Sequence, residues 1–412
     1  MRQRPLRLGI LSAEFFEPTL SRGRGGFGKN VRTVASYFRT HSELGVEVFL
    51  IHGFRRSPPG AVWTSLDGIP LLMRPAGASR WSDWITHRRL LAQLRLDVVL
   101  TMDFSPPFRG ALLALPRTPA IVWARDPRPP EDWAEIATLR IPGARGRPSD
   151  SRPVDATCFR SLYALARCTR RPLRIAVPAE FIARKVAPTY GIVPPTVYSL
   201  PGFLDVPDVP RVKARWPRVI FLGRLDPIKR PWVYWELARA LPDVEFLCLG
   251  ESYYPYEQDG GWTPSDPPPN LRVLGHLDDP ARAELLASSW LLVNTSIHEA
   301  LPTSFLEALF CETPIVSCQE AGGLVSRFGR YVGRFDGDGL AAVPHLADAV
   351  QRLLEDPALR TDLGYEGREW VIRHYNASRF LAAFSDLLSG MGLRWRPPIG
   401  HPSIPVVGAK NP

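Results

Sequence analysis

The residues of this chain best suited to chemistry gather in one stretch, Trp290–Cys318 (WLLVNTSIHEALPTSFLEALFCETPIVSC). Glu299 lies in a polar turn there, and Glu307 follows eight positions later, inside a helical pattern that starts near Pro302. Proline in a first helical turn, with Thr303 and Ser304 beside it, is a start signal. The N–H groups that a helix start leaves without intrahelical partners make an anion seat suited to a phosphate. Carboxylates on either side of that seat suit the hydroxyl groups of a phosphorylated sugar. A second set stands in RVIFLGRLDPIKRPW, an apolar run that delivers Arg224 and Lys229 into a loop ahead of a helix. Two cations at the carboxyl end of a strand suit a diphosphate leaving group, whose charge grows in the transition state. A third set is glycine: positions 23, 25 and 28 match G-x-G-x-x-G. The dinucleotide fingerprint should follow its strand at once, yet Ala13 to Arg22 intervene and no acidic residue closes the next strand. The remaining readings are a loop whose backbone approaches a diphosphate at a helix start and a plain surface loop. Asp103 and Asp126 each fall just past a strand, where aspartate commonly serves a turn or cap.

The elements that must position these groups alternate. Apolar runs at Leu6–Ser12, Val46–His52, Asp97–Thr101, Ala120–Ala124, Leu173–Val177 and Thr196–Leu200 read as buried parallel strands. Helical stretches fall between them, around 85–95, 107–115, 155–168 and 179–187, so the first half predicts a doubly wound parallel sheet. Ligands of such sheets bind beyond the carboxyl ends of the strands. Prolines at 201, 207, 210 and 217 mark an interdomain linker. Further strands are expected at Val244–Leu249, Leu271–Leu274, Trp290–Asn294 and Pro314–Ser317. The insert 251–270 reads as a long aromatic and proline-rich loop. Asp336-x-Asp338 sits among glycines in FDGDG and reads as a loop, so no metal is expected. The tail from Arg394 is expected to be extended or disordered.

A length of 412 residues exceeds what one core usually supports, so two domains are expected. Hydrophobic content of 45% is ordinary for a globular protein, and no apolar run reaches the roughly 18 residues of a membrane span. Glu14 interrupts the first apolar run, which argues for a strand rather than a signal peptide. The five cysteines (158, 168, 248, 311 and 318) form no CxxC pair and lie in apolar sequence, consistent with reduced thiols in a cytoplasmic protein. Charge is uneven. Residues 1–205 carry 30 Lys and Arg against 16 Asp and Glu, and the remainder carries 21 against 25. A basic first half suits an anionic partner, and nine arginines crowd Arg140–Arg174 (140, 145, 147, 152, 160, 167, 170, 171 and 174). That segment reads either as a solvated face or as a patch for anionic lipid or phosphate; no nucleic-acid module accompanies it.

Three of these motifs, Gly25-Gly26, GRLDPIK with Arg224 and Lys229, and E-x7-E from Glu299 to Glu307 with LPTSFLEA, stand in the order found in retaining glycosyltransferases of family 4, which the chain resembles over nearly its whole length. The resemblance implies the GT-B fold: two Rossmann-like α/β domains facing a cleft, spanning 1–207 and 212–376, with a crossover helix and tail at 377–412. It implies a nucleotide diphospho-sugar as donor substrate, with no cofactor and no metal. Arg224 and Lys229 would hold the diphosphate, aided by Gly25, Gly26, Thr303 and Ser304. Glu307 would bind ribose hydroxyls, and Glu299 would face the donor sugar and steady positive charge at its anomeric carbon. Asp126 would hold the sugar or the acceptor. Relatives usually carry histidine before that aspartate, where this chain has Arg125. The acceptor would be a glycan, lipid-linked or small molecule resting on the basic first domain, on a cytoplasmic enzyme peripheral to a membrane. Two alternatives remain: a nucleotide-sugar epimerase or hydrolase on the same fold, and a catalytically silent adaptor.

Overall fold

A computed structural model of the chain describes residues 4–17, 25–56, 62–75, 80–143, 156–252 and 266–398. The fold divides into two compact units. The first takes residues 1–129, 154–203 and 375–412; the second takes 130–153 and 204–374.

The first unit begins with β1 (Leu6–Ser12), α1 (Gly26–Thr40), β2 (Val46–Arg56), β3 (Trp63–Leu66), β4 (Ile69–Arg74), α2 (Arg80–Gln93), β5 (Val98–Met102), α3 (Phe108–Ala114) and β6 (Ala120–Trp123). Helix α4 (Pro130–Ala137) belongs to the second unit, and the first resumes with α5 (Ala156–Cys168), β7 (Leu173–Val177), α6 (Glu180–Tyr190) and β8 (Val197–Ser199). Its strands order as β3-β4-β2-β1-β5-β6-β7-β8, antiparallel only at the β3–β4 hairpin. β5 and β6 are buried at every residue because helices cover both faces, which is why they read as continuous apolar runs. α1 lays Val31, Val34, Ala35 and Phe38 against the sheet at helical spacing. In its first turn, a Cβ on Gly28 would collide with the backbone of Phe15 and Phe16, so glycine lets the segment after β1 close on the helix.

The second unit contains β9 (Arg218–Leu222), α7 (Pro231–Ala240), β10 (Glu245–Leu249), β11 (Leu271–Gly275), α8 (Asp279–Ser288), β12 (Leu291–Asn294), α9 (Thr303–Phe310), β13 (Ile315–Ser317), α10 (Leu324–Phe328), β14 (Gly329–Tyr331), α11 (Val343–Glu355) and α12 (Pro357–His374). Its sheet is wholly parallel, in the order β11-β10-β9-β12-β13-β14. Val219, Phe221, Phe246, Val293 and Val316 form the sheet side of a core closed by Trp232 and Trp235 of α7 and Leu346, Val350 and Leu353 of α11. The chain then returns to the first unit through α13 (Ala377–Ser389), whose Phe380 and Phe384 pack at 6.3 and 6.0 Å from Phe38.

Several features differ from the sequence reading. The β3–β4 hairpin and α4 went unanticipated, and 130–153 packs with the second unit although it lies within the first half of the chain. The tail does not become free at Arg394: Trp395 is buried, and its Nε1 donates to the Leu44 carbonyl at 2.9 Å. Cys248, Cys311 and Cys318 are buried, but Cys168 is exposed and Cys158 half-buried. Arg171 is no surface cation. It is buried and donates to the carbonyls of Thr118 (2.6 Å) and Leu112 (2.7 Å). Arg145, Arg147, Arg152, Gly23 and most of the 251–270 insert lie outside the described residues. Among those described, no helix is long and apolar enough to cross a membrane.

Candidate functional site

In the second unit β9 lies between β10 and β12, so chain connections leave its two sides in opposite directions. At such a switch point the loops beyond the strand ends separate and leave a crevice for ligands. The loop after β9 carries Arg224 and Lys229; the loop after β12 carries Glu299 and runs into α9. The two are stitched together: Ile297 N–H donates to the Ile228 carbonyl at 2.9 Å, and Thr295 Oγ1 donates to the Lys229 carbonyl at 2.6 Å.

Arg230, which sequence reasoning passed over, holds this arrangement. It sits in left-handed backbone (φ 46°) with its side chain fully buried. Its guanidinium donates to the carbonyls of Thr295 (2.8 Å), Ser296 (3.0 Å) and Phe335 (2.6 Å), joining three loops. Gly339, itself left-handed at φ 72°, leaves room for that guanidinium where a Cβ would overlap it. A positively charged residue directly after Lys229 is visible in sequence, but nothing there distinguishes a buried tie from a surface charge.

The structure brings Lys229 and Glu299 together. Lys229 Nζ lies 2.5 Å from Glu299 Oε1, and the same oxygen accepts from Ser296 Oγ (2.6 Å) and Asn294 Nδ2 (3.0 Å). Burial pushes the Glu299 carboxyl upward, but Lys229 and these bonds outweigh it and hold the group ionised, below its ordinary value. Arg224 pairs with Asp226, Nε to Oδ2 at 2.8 Å. Thr303 and Ser304 open α9, which has no side-chain cap and no acidic residue in its first turn, so the positive end of the helix is left for an anion. Glu307 is buried on α9, with Arg282 Nη2 at 3.4 Å from its Oε1 and Asp279 as a second partner of that arginine. Cations, helix start and carboxylates thus share one strand-end region, as a diphosphate with sugar hydroxyls on each side requires.

In the first unit, Gly25 precedes the first residue of α1, Gly26, and accepts from Lys29 N–H at 3.0 Å. Asp126 is already engaged: its carboxylate receives Arg128 Nε at 2.8 Å and Nη2 at 2.6 Å. Behind it Asp103 is half-buried in left-handed backbone (φ 59°) and accepts from Tyr190 OH (2.5 Å), Asp126 N–H (2.8 Å) and Phe104 N–H (3.1 Å). Burial raises its carboxyl despite those donors. Asp103 therefore fixes the turn that presents Asp126.

Two acidic groupings bear on metal binding. Asp338 spends its carboxylate on Leu340 N–H at 3.0 Å, in the glycine loop expected of it. Asp132 and Glu135 of α4 meet His298 with ligand atoms within 4.8 Å of one another, a cluster that sequence spacing did not suggest. Arg334 lies 3.1 Å from Glu135 and supplies positive charge there.

Residues 208–370 match the family description Glycosyl transferases group 1. Among solved structures the chain is similar to sucrose-phosphate synthase of Thermosynechococcus elongatus (17% identity, 94% of this chain and 99% of that one, TM-score 0.66). It is similar to HepE of Anabaena in complex with UDP (14% identity, 93% and 100% covered, TM-score 0.68). It is also similar to WaaG, a glycosyltransferase involved in lipopolysaccharide biosynthesis (14% identity, 93% and 99% covered, TM-score 0.59). No curated protein matches. At these identities the likeness is one of fold, and that fold is GT-B.

Proposed function

We propose that this chain, whose residues 208–370 match the description Glycosyl transferases group 1, is a glycosyltransferase that moves a sugar from a nucleotide diphospho-sugar to a glycan or lipid-linked acceptor with retention and without a metal or other cofactor. The observation that carries this reading is the Lys229–Glu299 pair at the switch point, with Arg224 and the start of α9 beside it. Lys229, Arg224 and the N–H groups around Thr303 and Ser304 take the diphosphate and stabilise the charge that grows on it as the sugar leaves. A divalent cation is redundant for that task. Incoming diphosphate draws Lys229 toward itself, and the ionised Glu299 is then left beside the anomeric carbon, where positive charge develops. Glu307 holds ribose hydroxyls. Gly25 and Gly26 offer backbone N–H groups at the start of α1, and Asp126, oriented by Arg128 and Asp103, contacts sugar or acceptor.

Peripheral attachment to an anionic membrane fits the excess of basic residues in the first half. Exposed Arg160, Arg167 and Arg170 stand on and just after α5. On α2, Trp81 is 75% and Ile85 43% exposed, one helical turn apart and followed by exposed Arg88 and Arg89. Aromatic and basic residues on one helix suit a headgroup layer. On this reading the enzyme works in the cytoplasm, at the inner face of the membrane.

The reading is tested by screening nucleotide diphospho-sugars for thermal stabilisation, since ligand at 100 times its Kd adds about 2.7 kcal/mol to the native state. The stabilising donor is then supplied with candidate acceptors in excess EDTA. Glycosylated product of unchanged anomeric configuration is expected. Free sugar alone, or activity abolished by EDTA and restored by manganese, refutes it.

A further inference from the structure

Arg125 stands outside the machinery described so far. It follows β6 in the first unit, is 6% exposed, and has its guanidinium carbon 4.6 Å from the centre of the Trp123 ring. Its Nη1 is buried and has no hydrogen-bond partner among the described residues. A buried arginine normally meets a carboxylate or a set of carbonyls, as Arg230 and Arg171 do here. Asp103, the carboxylate that acts on its charge, and Asp126, its neighbour in sequence, are both spoken for. Asp103 is filled by Tyr190, Phe104 N–H and Asp126 N–H, and Asp126 by Arg128. Burial lowers the guanidinium only to about 10, so it is cationic at neutral pH. Stacking on Trp123 offsets part of the cost of burying that charge, but it satisfies none of the planar N–H donors.

The surroundings favour an anion. Nη1 of Arg125 and Oδ1 of Asn30 each lie 3.3 Å from the place a Cβ would occupy on Gly202, so the guanidinium reaches the first turn of α1. Asn30 bends back there, donating Nδ2 to the Gly26 carbonyl at 2.6 Å. That turn contains no acidic residue, and its positive dipole end adds to the arginine charge. We infer that Arg125 receives an oxyanion carried by the substrate, a carboxylate or a phosphate, so that the sugar or acceptor handled by this enzyme is itself anionic. This rests on the glycosyltransferase reading for its substrate class, and on Arg125 alone for the subsite. The planar fork of arginine matches both oxyanions in bidentate fashion.

The test titrates the full chain, R125Q and R125K by calorimetry at low salt with inorganic phosphate, D-glucuronate, D-glucose and, separately, UDP. Phosphate or glucuronate should bind the wild type and glucose should not. R125Q should lose about ten- to a hundredfold in affinity for that probe, as removal of a charge-assisted contact does. UDP affinity should be the same in all three proteins, because Arg224 and Lys229 carry it. The probe bound more tightly tells a phosphorylated substrate from a uronic acid. The inference is overturned if the wild type binds neither probe, if R125Q binds as well as the wild type, or if UDP affinity falls by the same factor. Should R125Q not fold, R125K decides. It keeps the charge and loses the fork, so at least a threefold fall for the probe supports the inference and no change overturns it. Failure of UDP to bind any of the three would defeat the donor-site reading, and the phosphate and glucuronate titrations would still decide Arg125.

Discussion

Replacing Lys229 by methionine separates the electrostatic role of the pair from its shape. The substitution keeps the length of the side chain and removes the charge 2.5 Å from Glu299 Oε1. Breaking a buried pair from one side costs roughly 3–5 kcal/mol. Here the lysine is 24% exposed, and Ser296 and Asn294 still donate to the same oxygen, so about 2 kcal/mol at pH 7 is expected. The pH dependence is the sharper signature. In the wild type the Glu299 carboxyl is held below its ordinary value, so its contribution to stability is complete above the unfolded value of about 4.3 and is lost only in more acid solution. In K229M burial, the largest influence on this group, is no longer opposed by a cation and the carboxyl rises. Such a group loses stability as pH climbs from about 4.3 through its raised value, at up to about 1.4 kcal/mol per pH unit. The gap in urea midpoint between the two proteins should therefore be small near pH 4.5 and widen toward pH 7. A gap that stays constant with pH would show that Lys229 does not govern Glu299, and the account of its ionisation would fall.

Two further outcomes are expected. R230M leaves three carbonyls without their donor and should destabilise the chain by about 3 kcal/mol or more in urea unfolding; a change under about 1 kcal/mol would show that the three-loop tie is dispensable. Vesicles rich in anionic lipid should sediment the protein at low salt, with W81S and R160E/R167E/R170E each weakening the effect and about 0.3 M salt abolishing it. Equal recovery with neutral vesicles would refute attachment by charge.

The sheets were legible because a strand buried on both faces cannot hide its composition; β1 and β7 fall where their apolar runs do. The β3–β4 hairpin was not, since Trp63, Thr64 and Ser65 are exposed and lack an apolar alternation. At the site, Glu299, Lys229, Arg224 and Glu307 could be named from spacing and resemblance, and the second unit brings them to one strand-end region. The partners that set their state could not. Asn294 looks like the end of a strand and Ser296 like a turn residue, and Arg230 and Arg282 look like surface charges, until folding removes them from water. Asp126 was legible as a post-strand aspartate, but its engagement by Arg128 depends on a side-chain geometry that the single intervening residue, Pro127, does not dictate.

The route of the chain has a practical consequence for anyone cutting this protein apart. Crossing from one unit to the other at 129/130, 153/154, 203/204 and 374/375, the polypeptide offers no single bond whose scission yields two complete pieces. A fragment ending at the proline-rich linker would lack Phe380 and Phe384, leaving Phe38 bare, and would carry Leu139 and Ile141 with no core to enter. Its complement would begin without α4 and end in a helix whose apolar face has nothing to cover. Each half would expose large aromatic surface and tend to aggregate, whereas two fragments made together have the means to reassemble.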